Sequence, residues 1–257
     1  MKYAIVSKLD DKSHQISQVI RERLQKENWI EDKEQAELII CVGGDGTLLY
    51  GVHQFLKRIN ELKFIAIHTG TLGFFTDYTE DELDAFLEDI LHKEPTIYTS
   101  ELLKIQLDNV RKPLYALNEL RIENIIKSQN VDVYINHEFF ESCRGSGICL
   151  STQAGSTAYN RGLGGAVIDS GLSVMQLAEI TPIQHAKHRS LRSPYILKDD
   201  SFVTLKSDTF DTAVLCYDHL NLSLEETTKI ECCMSDKHVS FARYREYSYL
   251  KRLKNLY

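Results

Sequence analysis

The stretch Gly43-Gly44-Asp45-Gly46-Thr47 stands between an apolar run, Leu38-Ile39-Ile40-Cys41-Val42, and Leu48-Leu49-Tyr50. A glycine-rich turn carrying one carboxylate therefore joins a buried strand to a helix, which directs the chain toward an open α/β sheet with its ligand at the carboxyl end of a strand. Glycines let the backbone approach a polyanion closely, and the first N–H groups of the helix, reinforced by its dipole, face negative charge. The carboxylate is the unusual member. An acid among phosphate-binding amides is repelled by the phosphate unless a metal ion or a substrate hydroxyl requires it, so Asp45 is read as acting on a reacting group and the turn as catalytic.

Hydrophobic periodicity extends this pattern to residue 97. A strand over 3–6 leads to a helix with Ile16, Val19, Ile20 and Leu24 on one face, then to the strand that enters Gly43. The following helix points Leu48, Leu49, Val52, Phe55, Leu56 and Ile59 inward, and Phe64-Ile65-Ala66-Ile67 supplies another buried strand. Thr79 and Glu82 form the spacing of a capping box, opening a helix with Leu83, Phe86, Leu87, Ile90 and Leu91 at 3.6-residue intervals. Alternation of this kind predicts a parallel sheet covered by helices, an α/β N-terminal domain over 1–97.

From residue 97 onward the chain turns to short β-rich runs: 102–107, 114–122, 131–136, 148–151, 202–205, 213–217, 220–224, 230–233 and 239–242. These predict an antiparallel, β-rich C-terminal domain over 98–243, with a short helix expected at 173–180. The tail over 244–257 mixes Arg245, Lys251, Arg252 and Lys254 with Tyr247, Leu250, Leu253 and Leu256. It is expected to be a helix that docks its apolar side on the first domain.

A chain of 257 residues, 43% hydrophobic and with net charge −7, can bury a substantial core. Its negative charge argues against a nucleic-acid or anionic-membrane surface, so any phosphate site is local. The opening MKYAIVSKLD carries no apolar leader pattern and no run reaches the length of a membrane span, so a cytoplasmic location is expected. Cysteines 41, 143, 149, 216, 232 and 233 show no CxxC spacing and read as small buried hydrophobes. No metal framework is visible, and His185 with His188 makes a weak zinc pair.

A second glycine-rich cluster, Arg144-Gly145-Ser146-Gly147 through Gly155-Ser156-Thr157-Ala158-Tyr159-Asn160, lies roughly a hundred residues beyond the first. Small residues, hydroxyls and an arginine at strand ends suit a ribose and its phosphates, and they equally suit a pair of tight β-turns. Asn118-Glu119 places an amide and an acid within an apolar run, where such groups need partners, either ribose hydroxyls and a base edge or backbone groups. Phe74-Phe75 offers an aromatic surface for a base or for the core.

GGDGT at 43–47, HTGTLGFF at 68–75, Asn118-Glu119, GSTAYN at 155–160, GLGGAV at 162–167 and TPIQHAKHRSLRSP at 181–194 follow one another in an order and spacing that resembles the bacterial NAD kinases over most of the chain. The resemblance implies transfer of a phosphoryl group from ATP, with Mg²⁺ or another divalent cation, to the 2′-hydroxyl of the adenosine ribose of NAD. It also implies a homotetramer, and it leaves polyphosphate open as an alternative donor. Asp45 would accept the proton of that hydroxyl, and Gly43, Gly44, Gly46 and Thr47 would form the phosphate turn. Asn118 and Glu119 would bind ribose and base, Tyr159 would stack, and Arg144, Thr157, Ala158, Asn160, Arg161 and Gly162 would line the dinucleotide pocket, closed by Phe74 and Thr181. Ser146 is included where many members carry an aspartate, and Gln153-Ala154 stands where Pro-Thr or Pro-Ser is usual. Those departures keep a non-catalytic dinucleotide-binding regulator as one alternative, and the shared GGDGT turn keeps a lipid kinase of the diacylglycerol type as another. Walker A, GxGxxG and protein-kinase HRD or DFG signatures are absent from the sequence.

Overall fold

Every residue of Leu38–Val42 is buried, because this strand is covered on both faces. In the structure, a computed structural model that describes residues 1–70, 73–183 and 190–254, it is the third strand of a parallel sheet. The elements run β1 (Lys2–Ser7), α1 (Asp11–Lys26), β2 (Ile30–Glu31), β3 (Leu38–Val42), α2 (Asp45–Gln54), β4 (Lys63–His68), β5 (Tyr78–Thr79) and α3 (Leu83–His92). β1 pairs in parallel with β2 and β3, and β3 pairs in parallel with β4. One face of the sheet, with Leu38, Ile40, Val42, Ile65 and Ile67, packs on α1 and α3 through Ile16, Ile20, Leu24, Phe86, Leu87 and Ile90. On the other face α2 lies close enough that its Gly51 meets the Cys41 thiol and Val6. The capping box forms as expected, with Thr79 and Glu82 exchanging side-chain and backbone bonds.

The remaining elements are β6 (Thr96–Leu107), β7 (Leu114–Ala116), β8 (Glu119–Glu123), β9 (Gln129–Ile135), β10 (Glu138–Gly145), β11 (Gly147–Thr152), α4 (Tyr159–Gly162), β12 (Val174–Ile180), β13 (Tyr195–Lys198), β14 (Phe202–Lys206), β15 (Val214–Tyr217), β16 (Leu220–Ser223), β17 (Lys229–Arg243) and α5 (Tyr249–Lys254). The chain packs as two units, Met1–Thr99 with His238–Tyr257, and Ser100–Lys237. In the second unit an antiparallel sheet runs β13-β12-β11-β8-β15-β16, and β10, β9, β14 and the start of β17 form another antiparallel set. Alternate residues of the two, among them Leu120, Ile122, Ile148 and Leu150 facing Val131, Val133, Val203 and Leu205, make one core. In the first unit the end of β17 returns beside β4 in parallel, Ser240 opposite Lys63.

Several expectations are corrected. Residues 174–180 are a strand, β12, paired on both sides by β11 and β13, and ladder bonds on two edges outweigh the helical preference of Met-Gln-Leu-Ala-Glu. Val19 is 42% exposed, because the inward stripe of α1 follows i, i+4, i+8 through Ile16, Ile20 and Leu24. Leu56 is only half-buried, since α2 stops at Gln54 and a 3-10 turn follows. The run over 114–122 splits into β7 and β8 at Leu117-Asn118, whose N–H groups bond to a side chain. The runs at 230–233 and 239–242 join into β17, while β10 and β13 carry too mixed a pattern to be foreseen. In the tail, α5 leaves Leu250 69% exposed and buries Arg252 instead. His185, His188 and Leu256 lie outside the described residues.

All six cysteines are free thiols, and burial pushes that of Cys41 up to about 12. Among the described residues no helix is long and apolar enough to cross a membrane.

Candidate functional site

Asp45 is the first residue of α2, directly after the end of β3 and its turn. Gly43 has φ +151°, and a Cβ there would sit 2.2 Å from the Thr47 hydroxyl, so glycine is required. Gly44 caps the helix without a side-chain bond, and the position beside Gly46 opens onto free space. The two carboxylate oxygens of Asp45 each accept one backbone N–H, Phe74 N to Oδ2 at 2.9 Å and Phe75 N to Oδ1 at 3.0 Å. A carboxylate offers about four lone-pair sites, so each oxygen retains capacity for an incoming hydroxyl. Phe75 is buried and stacked on Phe241 at 5.4 Å, whereas Phe74 is half-buried against Tyr249.

His68, at the end of β4, stands beside this turn: a Cβ on Gly44 would lie 3.1 Å from its Nε2. Its Nδ1 accepts the Gly70 N–H at 2.7 Å, which puts the ring proton on Nε2. Burial lowers its pKa, partly opposed by the Asp45 charge, so the neutral imidazole is favoured. From the sequence, Asp45, the turn residues and Phe74 are the expected members of this group, and His68 is not. The signal for His68 was present only as the first letter of HTGTLGFF.

In the second unit the site residues fall into two groups. At the end of β11, Asn118 and Glu119 are buried and held by Asp218, whose carboxylate accepts the N–H of Leu117 at 2.8 Å and of Asn118 at 2.7 Å. Thr152 N donates to Asn118 O at 2.9 Å, and the Thr152 hydroxyl accepts the Gly155 N–H at 3.1 Å, bringing the 154–162 segment against them. Asn118 Oδ1, Glu119 Oε2 and Ser151 Oγ are buried with no hydrogen-bond partner among the described residues, as are both amide atoms of the fully buried Asn160. Unpartnered buried polar groups are costly within a protein, and Asn118, Glu119 and Ser151 stand side by side, Glu119 opposite Ser151 in the β8–β11 ladder. Tyr159 is half-buried with the Arg121 guanidinium 3.9 Å from its ring centre, and Arg121 in turn pairs with Glu123 at 2.6 Å. Thr157, Ala158 and Arg161 are half-buried in the same segment, and Gly162 is exposed. Asp218 and Ser151 were not foreseen as site residues.

Arg144, Ser146 and Thr181 form the other group. Ser146 is tied by Ser146 N to Ile180 O at 2.9 Å and by Asn124 N to Ser146 O at 2.8 Å, and Ile183 N donates to Arg144 O at 2.7 Å. Thr181 is exposed with φ +48°. These three lie at the start of β11, roughly 17 Å from its Thr152 end at 3.3 Å per residue, so one copy of the chain does not bring them to Asn118 and Glu119.

Burial pushes the Glu119 carboxyl up to about 7, aided by the Asp218 charge and opposed by Arg121 and the Tyr159 amide. The folded chain then holds that proton more tightly than the unfolded chain, whose value is near 4.5. The associated stability is fully present below about 4.5 and is lost as pH rises through about 7. Glu119→Gln is expected to match the native chain near pH 4.5 and to be more stable by roughly 2–3 kcal/mol at pH 8, read by urea unfolding without nucleotide. A gap independent of pH would contradict this account of Glu119.

The model of the ATP-NAD kinase N-terminal domain matches residues 2–95, and that of the ATP-NAD kinase C-terminal domain matches residues 117–244. The chain belongs to the NAD kinase family. An NAD kinase of Geobacillus stearothermophilus is 34% identical over 257 residues, covering 98% of this chain and 95% of its own, and one of Lactobacillus gasseri is 35% identical over 229 residues, covering 88% and 86%. Among solved structures, yeast NADH kinase complexed with NADH is similar with TM-score 0.85 at 18% identity, over 100% of this chain and 87% of its own. An Archaeoglobus fulgidus NAD kinase in complex with ATP has TM-score 0.77 at 22% identity, over 100% and 97%. The NAD kinase fold expected from the sequence, an α/β N-terminal domain followed by an antiparallel β-rich one, is thus the fold observed.

Proposed function

We propose that the chain is an NAD kinase that moves the terminal phosphoryl group of ATP to the 2′-hydroxyl of the adenosine ribose of NAD, giving NADP. The observation that carries this reading is the Asp45 carboxylate, fixed at the helix start by two backbone N–H groups and bordered by open space at Gly46. Phosphoryl transfer through a loose transition state is served by positioning and charge stabilisation more than by covalent chemistry. Asp45 would orient the attacking hydroxyl and receive its proton, while the glycine turn and the α2 N-terminus face the phosphates. Asn118 and Glu119, with their unpartnered oxygens, would take ribose hydroxyls and the base edge, and Tyr159, braced by Arg121, would supply a stacking face. In this reading Thr157, Ala158, Asn160, Arg161 and Gly162 line the dinucleotide site of the second unit, and Phe74 borders Asp45 in the first.

Among the described residues no group of three His, Cys, Asp or Glu could hold a metal ion. These residues do not fit a protein-built metal cage. Mg²⁺ therefore belongs with the triphosphate, as part of the substrate. A homotetramer belongs to the same proposal, with Arg144, Ser146 and Thr181 of one copy serving the pocket of another, as does a cytoplasmic location. Polyphosphate remains a second candidate donor.

The test is purified protein with ATP, Mg²⁺ and NAD, coupled to an NADP-specific dehydrogenase. Steady NADPH formation is expected. Binding of NAD without product would overturn the proposal in favour of a non-catalytic regulator, and no binding of NAD would remove dinucleotide recognition altogether.

A further inference from the structure

The C-terminal segment contributes a buried arginine to the 73–77 loop, on the side of the loop away from Asp45. Arg252 is 7% exposed; its Nη1 donates to Gly73 O at 3.1 Å and its Nη2 to Asp77 Oδ1 at 3.2 Å. The Tyr247 hydroxyl donates to Phe74 O at 3.4 Å, and Arg243 pairs with the same Asp77 oxygen. The carbonyl of Gly73 and the N–H of Phe74 belong to one peptide plane, and the carbonyl of Phe74 and the N–H of Phe75 to the next. Both planes are therefore held at the oxygen by the tail and at the nitrogen by Asp45. Because a peptide unit is rigid and planar, fixing its oxygen fixes the direction of its N–H, and hydrogen bonds in series polarise one another. Gly73 also packs directly on the carboxylate, where a Cβ would lie 2.3 Å from Oδ1. Two arginines and two carboxylates, Arg243, Arg252, Asp77 and Asp45, balance in charge, and Tyr247 lies under both guanidinium groups at 4.3 and 5.7 Å.

We propose that Arg252 and Tyr247 are positioning residues for phosphoryl transfer, setting the orientation of the Asp45 carboxylate through the two peptide planes of the 73–75 loop. The proposal rests on Asp45 being the proton acceptor. Arg252→Ala is expected to lower kcat by roughly 10–30-fold while KM for NAD and ATP stays within about twofold, since misplacing a reacting group by a fraction of an ångström acts on turnover. Millimolar guanidinium chloride is expected to restore part of that loss. Arg252→Lys, with one compact ammonium for two acceptors, should recover only part of the turnover, and Tyr247→Phe, which removes a single hydroxyl, should lose about threefold. Leu250→Ala, on the exposed side of α5, serves as the unchanged control.

The deciding measurement is the double variant. If Arg252 acts through Asp45, Arg252→Ala costs nothing further in an Asp45→Asn background, and that outcome supports the proposal. The same fold-loss in both backgrounds, an Arg252→Ala effect confined to KM, or full kcat in both Arg252→Ala and Tyr247→Phe would overturn it while leaving Asp45 in its role. Near-native turnover of Asp45→Asn alone would instead overturn the reading of Asp45, and this proposal with it.

Discussion

Replacing Asp45 by asparagine is expected to lower turnover by roughly 10²–10⁴-fold, the range of a lost general base, with a much smaller change in NAD affinity. The side chain keeps its shape, so the glycine turn and the α2 N-terminus are retained. What changes is the number of acceptors. Phe74 N and Phe75 N each point at a different carboxylate oxygen, and an asparagine presents one oxygen and one NH₂ group to those two donors. One loop amide loses its acceptor, at a cost of about 1–3 kcal/mol if it stays buried. The variant therefore has two signatures, a large fall in kcat and a modest fall in melting temperature. Turnover is read in the coupled assay across pH, and NAD binding by calorimetry. Near-native turnover with the native pH dependence would remove Asp45 from the reaction, whatever happened to stability.

The two amides that grip Asp45 could not be read from the sequence, and the reason is physical. The turn itself is local: a buried strand, a glycine at 43 that accepts positive φ, and an amphipathic helix are all encoded within about fifteen residues. Its partners come from positions 74 and 75 and are backbone groups, which carry no residue identity. The same holds for Asp218, a hundred residues from the Asn118 amide it holds, and it stands in a two-residue hairpin turn that any turn-forming residue would satisfy locally. The tail shows a competition resolved by electrostatics. Its leucines suggested apolar docking, but a nearly buried Asp77 requires compensating charge, and Arg252 and Arg243 supply it while Leu250 stays in solvent. At 174–180 the sequence carries residues of good helix propensity, and two neighbouring strand edges impose extended backbone there.

Gly155→Ala tests how tightly the second group of site residues is built. A Cβ at Gly155 would fall 2.0 Å from Asn118 O, 2.4 Å from its carbonyl carbon and 2.8 Å from its Cα. All three are backbone atoms, which cannot swing aside as a side-chain tip would. The Leu117-Asn118 segment is held from one direction by the Asp218 carboxylate and from the other by Thr152, whose N–H donates to Asn118 O. An added methyl must therefore break one of these clamps or displace the 154–157 turn, whose Ser156 hydroxyl accepts the Ile168 N–H at 3.1 Å. Overpacking of this kind costs about 3 kcal/mol or more, which corresponds to a fall of roughly 6–12 °C in melting temperature for a chain of this size. Because the displaced atoms carry Asn118 and Glu119, the proposed ribose and base contacts, KM for NAD should rise at least about tenfold while KM for ATP changes little, the loss of a buried polar contact or two. Gly162→Ala is the matched comparison: nothing lies within 4 Å of its Cβ position, and its melting temperature should be unchanged. Equal stability and equal KM for NAD in Gly155→Ala and the native chain would mean that the Asn118 backbone is not clamped against this turn, and that the proposed contacts of Asn118 and Glu119 with NAD do not depend on it.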